Sequence, residues 1–469
     1  MWTENYKLNR EYTGKEVRQV TYWRNNSIKS VFGDIYRLYI NAHGDTTHTN
    51  LFYTLLRLSL IGSEIGNIKF IIFRGGILNL ISFTISFVFF FLLMKLFFTN
   101  SKLLQFSATA CTFLSTATIS NTVLFRPYQI QETLFIVFCY YFFKTFSLKK
   151  YALRERSVYI NTKLILFLSL VTAFTLLTDY YAIILIGLFG LYVIFINFKT
   201  KNYGEIGFYI VILFLGLLFT RIFYAGYFTG FVSGTALETK QTLFTDIYRN
   251  MASSITSAGA LLYRYYFTFP VIIVLLLCLI ILICQRRKVI IQTPMFYALV
   301  ASIFFVVIVM LLAPPGKDLR YVMAVFPFFV LLPSLLVYSI QDRKLSIFVV
   351  LLLCVAFSTN ALNENKIEWL FRNKSDSYYF NRDITVPVYV INRSFAYYGE
   401  LVPYFNDEQV YYFFDNYEDI SLPGYDEFYL IVEQNIELPD ANLAKYETEQ
   451  EFTISYKFVC KKLRLTENE

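Results

Sequence analysis

The side chains that could act on a substrate are few, and they stand at the ends of long apolar runs. Gly44-Asp45-Thr46-Thr47-His48-Thr49-Asn50 places Asp45 near His48, with His43 just before them, and the chain has no other histidine. A carboxylate there could take a proton from an acceptor hydroxyl, and Asp and His together could hold a metal or sugar hydroxyls. A polar loop capping the next helix fits the same residues equally well. Arg126-Pro127-Tyr128 opens another apolar run, with Gln131 and Glu132 one turn further on. Glu132 enters the apolar stretch, where a carboxylate needs a partner or a wet cavity, and Arg126 is a candidate for an ion pair with it. Asp179, flanked by Tyr180 and Tyr181, is either a helix N-cap or a sugar contact. Lys317 and Arg320, beside Tyr321, could grip a phosphate, Arg as a fork and Lys as a point charge. They could equally anchor in lipid headgroups, and Arg264 among Tyr263, Tyr265 and Tyr266 carries the same two readings.

These groups must be positioned by membrane helices. Hydrophobic residues make up 56% of the chain and charged residues only 16%, too apolar a balance for one soluble core. Runs such as Ile77–Phe98, Leu103–Val123 and Tyr321–Ile340 are long enough to cross about 30 Å of hydrocarbon. Backbone groups in lipid must be satisfied internally, so such runs are helices. About ten spans are expected, the others being Tyr128–Phe146, Leu164–Leu177, Tyr181–Phe198, Ile206–Phe228, Phe267–Cys284, Pro294–Ala313 and Leu345–Leu362. The fold class is therefore mostly α, a polytopic helix bundle over residues 77–362. Residues 1–76 precede it as a segment with interfacial helices, among them Asn50–Ile61, which is too short to span.

Basic residues fix the orientation. Lys144 to Lys163, Lys199 and Lys201, Arg286 to Lys288, and Arg343 and Lys344 all fall on one side, which the positive-inside rule makes cytoplasmic. The reactive groups then gather on the extracytoplasmic side, with residues 1–76 and the tail. The net charge of +8 is an orientation signal and not a nucleic-acid footprint. No preceding hydrophobic segment carries residues 1–76 across, so the expectation is an upstream span before Met1, the alternative being translocation of the N-terminal tail by the first span. Residues 363–469 alternate apolar and polar in Val386–Ile391, Gln409–Phe414, Glu427–Val432 and Glu451–Val459, the pattern of strands in a small extracytoplasmic α/β domain. The cysteines show no metal-ligand spacing, so no metal site can be read; a divalent ion stays open because no ligand set is complete.

The order of these motifs resembles the C-type, multi-spanning glycosyltransferases that use polyprenyl-phosphate sugars, in the branch of protein O-mannosyltransferases and the lipid A aminoarabinose transferase. Asp45 to Tyr53 is similar to that branch's acidic-His-Pro-Pro-Leu-Tyr-Tyr stretch, with Thr49-Asn50 where Pro-Pro is usual. Arg74, Arg126-Pro127-Tyr128, Asp179-Tyr180 and Arg320-Tyr321 resemble its later turns in order, over roughly the first 340 residues. The leading acidic motif is best matched by Arg10-Glu11-Tyr12-Thr13. The resemblance implies a multi-pass protein of a bacterial inner membrane that performs an inverting transfer from a polyprenyl-phosphate sugar to a glycan, lipid or protein acceptor. Glu11, or alternatively Asp45, would be the base. Arg126, Arg264, Lys317 and Arg320 would hold the donor phosphate, and His48, Tyr128, Glu132, Asp179, Tyr180 and Tyr321 the substrates. The competing readings are a transporter or flippase of a lipid-linked glycan, expected to carry charges at mid-membrane depth, and a degenerate, non-catalytic relative.

Overall fold

The computed structural model describes residues 10–21, 26–40, 49–63, 68–124, 126–146, 162–199, 201–230, 251–290, 292–312, 319–362, 367, 383–391, 401–402, 405–414, 425–433, 443, 445–454 and 458–466. They fall into two compact units, one of Gly33–Ser59 with Ile72–Leu370 and one of Met1–Phe32, Leu60–Ile71 and Phe371–Glu469.

The first unit is helical. Its long elements are α4 (Ile68–Phe97, entering from the other unit), α5 (Lys102–Phe113), α6 (Thr116–Val123), α7 (Tyr128–Phe146), α8 (Thr162–Leu176), α9 (Ala182–Lys199) and α10 (Tyr203–Phe223). They are followed by α11 (Met251–Tyr265), α12 (Phe269–Cys284), α13 (Thr293–Leu312), α14 (Leu331–Tyr338) and α15 (Arg343–Ala361). Two further helices precede these, α2 (Ile28–Tyr39, also entering from the other unit) and α3 (Leu51–Ser59). Among the described residues four helices are long and apolar enough to cross a membrane, or five if the bent pair of α11 and α12 counts as one span. Large apolar side chains face outward on these helices. Phe195 is 70% exposed, Phe214 67% and Ile283 73%, which suits hydrocarbon and not water.

Three expected elements differ in detail. The run Leu103–Val123 is two helices, because Ser115 turns its hydroxyl onto the Thr118 amide (3.3 Å) and starts a new helix there. Serine and threonine side chains offer the backbone this alternative wherever they cluster, as they do here. Tyr321–Ile340 begins as a 3-10 helix over Met323–Val330 with Pro327 inside it, and becomes α-helical only at Leu331. Proline removes an α-helical donor, which favours the tighter winding. The outer loop expected over Thr229–Tyr266 contains α11, which meets α12 at 91°. Small residues in Ser253 to Ala260 had hidden that helix from a hydropathy reading.

The short helices are set by one buried pair. Arg57 of α3 is fully buried, and its Nε (2.9 Å) and Nη2 (2.8 Å) both reach Oδ2 of Asp34 on α2. Ile28, Phe32 and Tyr36 recur along the opposite, exposed face of α2, the pattern of a helix lying in an interface.

The other unit is a sheet of β1 (Glu11–Thr13), β2 (Val388–Ile391), β3 (Val410–Phe414), β4 (Glu427–Glu433), β5 (Tyr446–Ile454) and β6 (Phe458–Leu465), with α1 (Gly14–Thr21) after β1. The strand order is β1-β3-β2-β4-β6-β5. β3, β2 and β4 run parallel, while β1 and the β4-β6-β5 ribbon are antiparallel. The single strand expected over Glu451–Val459 is the end of β5 and the start of β6, which pair antiparallel from Ile454 and Phe458 onward. A strand from the N-terminal segment was not expected. Thr13 and Glu16 form a reciprocal capping box that ends β1 and starts α1. Gly14 then passes so close to Asn406 that an added Cβ would lie 1.8 Å from its carbonyl oxygen.

Gly14→Ala should therefore loosen the sheet by about 1–3 kcal/mol, the usual cost of overpacking, seen as faster amide exchange across both β1 and β3. At the bulge in β5, Lys462 bridges Glu427 (2.5 Å) and Glu449 (2.8 Å). The hydrogen bond from Lys462 holds the Glu449 carboxyl below its ordinary range. The resulting stabilisation is present above the unfolded carboxyl's value of about 4.3 and fades as pH falls through the lower folded one. Exchange protection of β5, corrected for intrinsic rates, should drop over that acidic window, and Glu449→Gln should flatten the drop.

Candidate functional site

Three helix-end segments of the bundle unit bring charges to bear on Tyr128, and a fourth joins them through Asp179 and Tyr180. The first is the turn into α7. The α6 helix stops where Asn79 of α4 donates to the carbonyls of Thr122 (3.0 Å) and Leu124 (2.9 Å), so the chain turns at Arg126-Pro127 and restarts with Tyr128. Proline suits that first turn because its missing amide hydrogen would be unsatisfied there in any case. Arg126 stays exposed while Tyr128 is buried.

The second segment is the tight turn between α8 and α9. Asp179 accepts a hydrogen bond from the Tyr181 amide (2.7 Å), which shapes the turn just ahead of α9. The third is the 3-10 turn Leu319–Tyr321, in which Arg320 donates to the Tyr321 hydroxyl (3.2 Å) and lies 5.0 Å from that ring's centre. Tyr321 meets Tyr181 edge-on at 6.2 Å. The charges of Asp179, Arg320 and Arg126, with the Tyr321 hydroxyl, all bear on the Tyr128 hydroxyl. The fourth is the turn after α10, where Tyr227 packs against Tyr180 at 5.2 Å and also feels the Asp179 charge.

The chain entering α3 is tied to the same place. The Thr49 hydroxyl donates to the Leu177 carbonyl, two residues before Asp179, and the Asn50 amide donates to the Phe223 carbonyl (3.3 Å) at the end of α10. Asp45, His48 and Lys317 lie outside the described residues. Arg264 sits at the bend between α11 and α12, its guanidinium 5.0 Å from the Tyr265 ring. Glu11 belongs to the other unit, where it lies on β1, exposed, and its carboxylate accepts from the Tyr412 hydroxyl (3.3 Å).

Glu132 is fully buried, and its hydrogen bonds come from amides and not from Arg126. Asn121 donates to Oε2 (3.0 Å) and Gln129 to Oε1 (3.3 Å). The ion pair considered from sequence is replaced by this amide clasp, because α6 folds back beside the start of α7 and brings Asn121 to it. Thr122 holds Gln129 in turn (2.8 Å), and Thr133 ties the network to α4 through the Ser82 carbonyl (2.9 Å). Glu132 is thus a packed member of the wall beneath Tyr128.

Sequence reasoning named Gln131 without assigning it a role. Its side chain is 1% exposed, and neither of its amide atoms has a hydrogen-bond partner among the described residues. It follows Tyr128 by one helical turn, on the same side of α7. Tyr181 and Tyr227 were not assigned either. In a chain with 38 tyrosines no sequence signal marks them out.

No protein-family model matches the sequence, and no curated protein matches it. Among solved structures, the crystal structure of ArnT from Cupriavidus metallidurans bound to undecaprenyl phosphate aligns over 89% of this chain and 88% of that one, with 11% identity and a TM-score of 0.49. The apo form of the same protein aligns over 91% of each chain, with 10% identity and a TM-score of 0.44. The chain is similar to ArnT.

An unsatisfied buried amide costs about 1–3 kcal/mol, so Gln131→Leu should leave thermal unfolding unchanged or move it upward. A lower unfolding temperature in that variant would show that the amide is satisfied within the fold.

Proposed function

We propose that this chain is a membrane glycosyltransferase that moves a sugar from a polyprenyl-phosphate donor to an acceptor hydroxyl on the extracytoplasmic side. The observation that carries this reading is the convergence of Arg126, Arg320 and Asp179 on the buried Tyr128, at the ends of apolar helices. Two cations beside one carboxylate at a helix mouth suit a lipid phosphate arriving from the bilayer and a polyol arriving from water. A lipid scaffold has no need of this combination, and a transporter would place its charges deeper in the membrane.

In the proposed reaction the acceptor oxygen attacks the anomeric carbon as a carboxylate takes its proton. The bond from that carbon to the phosphate oxygen breaks, configuration inverts, and polyprenyl phosphate leaves with the bonding pair. Negative charge grows on the leaving phosphate, where Arg126 and Arg320 would stabilise it. Asp179 and the tyrosines around it would hold sugar hydroxyls.

Of the two carboxylates considered as base, Asp45 is the better supported. Thr49 and Asn50, shortly after it, are anchored to the carbonyls of Leu177 and Phe223, next to the Asp179 turn. Glu11 stays the alternative, its carboxylate accepting from the Tyr412 hydroxyl (3.3 Å). Lys317, Arg264 and His48 remain candidates for phosphate and substrate contacts, and a divalent ion is compatible with the chemistry without being required by it.

Asp45→Asn should lower transfer by about a hundred- to ten-thousand-fold, as loss of a general base does, with donor affinity little changed. Arg320→Gln should weaken donor binding and transfer together. The assay is transfer of labelled sugar from a polyprenyl-phosphate donor in reconstituted membranes, with folding checked by thermal unfolding. Full activity in both well-folded variants would remove the mechanism.

A further inference from the structure

We propose that the sheet of the C-terminal unit carries a carbohydrate-binding surface of its own, built from Tyr389, Tyr412 and Tyr425 with Glu11. The strand register sets it up. Glu11 on β1 pairs with Tyr412 on β3, and Tyr412 pairs with Tyr389 on β2, so the three side chains lie in one row on one face. The Tyr389 and Tyr412 rings stack at 4.9 Å and 14°, and Phe414 extends the stack from Tyr389 at 5.9 Å. The Tyr412 hydroxyl reaches both the Glu11 carboxylate (3.3 Å) and the Tyr425 hydroxyl (3.2 Å). Tyr446 closes the group by donating to the Tyr425 carbonyl (3.5 Å).

Two further observations point outward from this cluster to a ligand. Tyr389 is 1% exposed, and its hydroxyl has no hydrogen-bond partner among the described residues, although the hydroxyls of Tyr412, Tyr425 and Tyr446 bear on it electrostatically. Tyr425 is 38% exposed and Glu11 lies open to solvent, so the edge of the group is accessible. A buried phenol is normally satisfied, and this one would be by a hydroxyl that takes the place of the Tyr412–Tyr425 contact.

The chemistry selects a neutral polyol. Aromatic rings accept the apolar C–H face of a pyranose, phenols both donate and accept, and a carboxylate accepts from paired sugar hydroxyls. Glu11 disfavours phosphates and other anions at the same place. The proposal uses none of the bundle residues, and Glu11 is the one residue it shares with the catalytic groups suggested by the sequence.

The test uses the full chain in lipid nanodiscs and a panel of neutral glucose, galactose and mannose oligosaccharides, read by saturation-transfer NMR with titration. Saturable binding to at least one of them is expected. Glu11→Gln and Tyr425→Ala should each weaken it by about tenfold, the scale of a hydrogen bond to a charged group. Tyr425→Ala should keep the amide-exchange protection of β1 and β3, and Arg320→Gln should bind the saccharide normally. No binding to any saccharide, or binding that neither Glu11→Gln nor Tyr425→Ala weakens, would overturn the proposal and leave the cluster a lock for β1. Absence of transfer by the unsubstituted chain, with saccharide binding intact, would count against the bundle site alone.

Discussion

A polar group inside this bundle has no water to fall back on, and the rest of the architecture follows from that constraint. Interior hydroxyls return to their own helix: Thr172 bonds the Leu168 carbonyl, Thr175 that of Val171, Thr220 that of Gly216 and Ser302 that of Ala298. A carboxylate cannot be silenced so cheaply, and Glu132 takes two amides from neighbouring turns to remain buried. Guanidinium groups fare worse still. Arg126 and Arg320 stand at helix ends, and Arg57, fully buried, is clamped onto Asp34. Helix ends are the inexpensive place for such a chain to keep ionised groups. A site that needs cations and a carboxylate is confined to those ends by the same physics.

Much of the bundle could be read from hydropathy because the signal is redundant. Tyr128–Phe146 is a helix over the range its apolar run predicts, and the runs ending at Cys284 and beginning near Leu345 are also helical. What hydropathy misses is where a helix breaks without a change in polarity. Ser115 splits one apolar run, Pro327 tightens another, and α11 is too rich in small residues to register. The β1 strand was out of reach for a different reason. Its partner, Val410 to Tyr412, lies nearly four hundred residues away, and a strand as short as Glu11–Thr13 has no periodicity of its own.

The site shows the same division between charge and context. Asp179, Arg126 and Arg320 stood out because an ionised residue beside twenty apolar ones is expensive, and expense is visible in a sequence. That they act on one hydroxyl was not visible, because three loops separated by long helices carry them. The meaning of Glu132 changed with its neighbours: Asn121 and Gln129 look like ordinary helix residues until α6 folds back and sets them on its two oxygens.

Tyrosine is the hardest residue to read here, and its environment separates two uses. Its ring is at home in an apolar interior, and its hydroxyl asks for only one partner. Where that partner is a carbonyl, the residue packs helices together: Tyr209 reaches Ile186 and Tyr297 reaches Leu188, both at 2.6 Å. Gly190 makes room for the first, since a Cβ there would lie 2.8 Å from the Tyr209 ring. Around Asp179 the tyrosines meet charges in place of carbonyls, and on the C-terminal sheet they meet Glu11 and one another. A hydroxyl bonded to a backbone carbonyl is committed to the fold. One set among ionised groups or other hydroxyls can exchange its partner for a ligand at small cost, and such tyrosines are found at the bundle's helix ends and on the sheet.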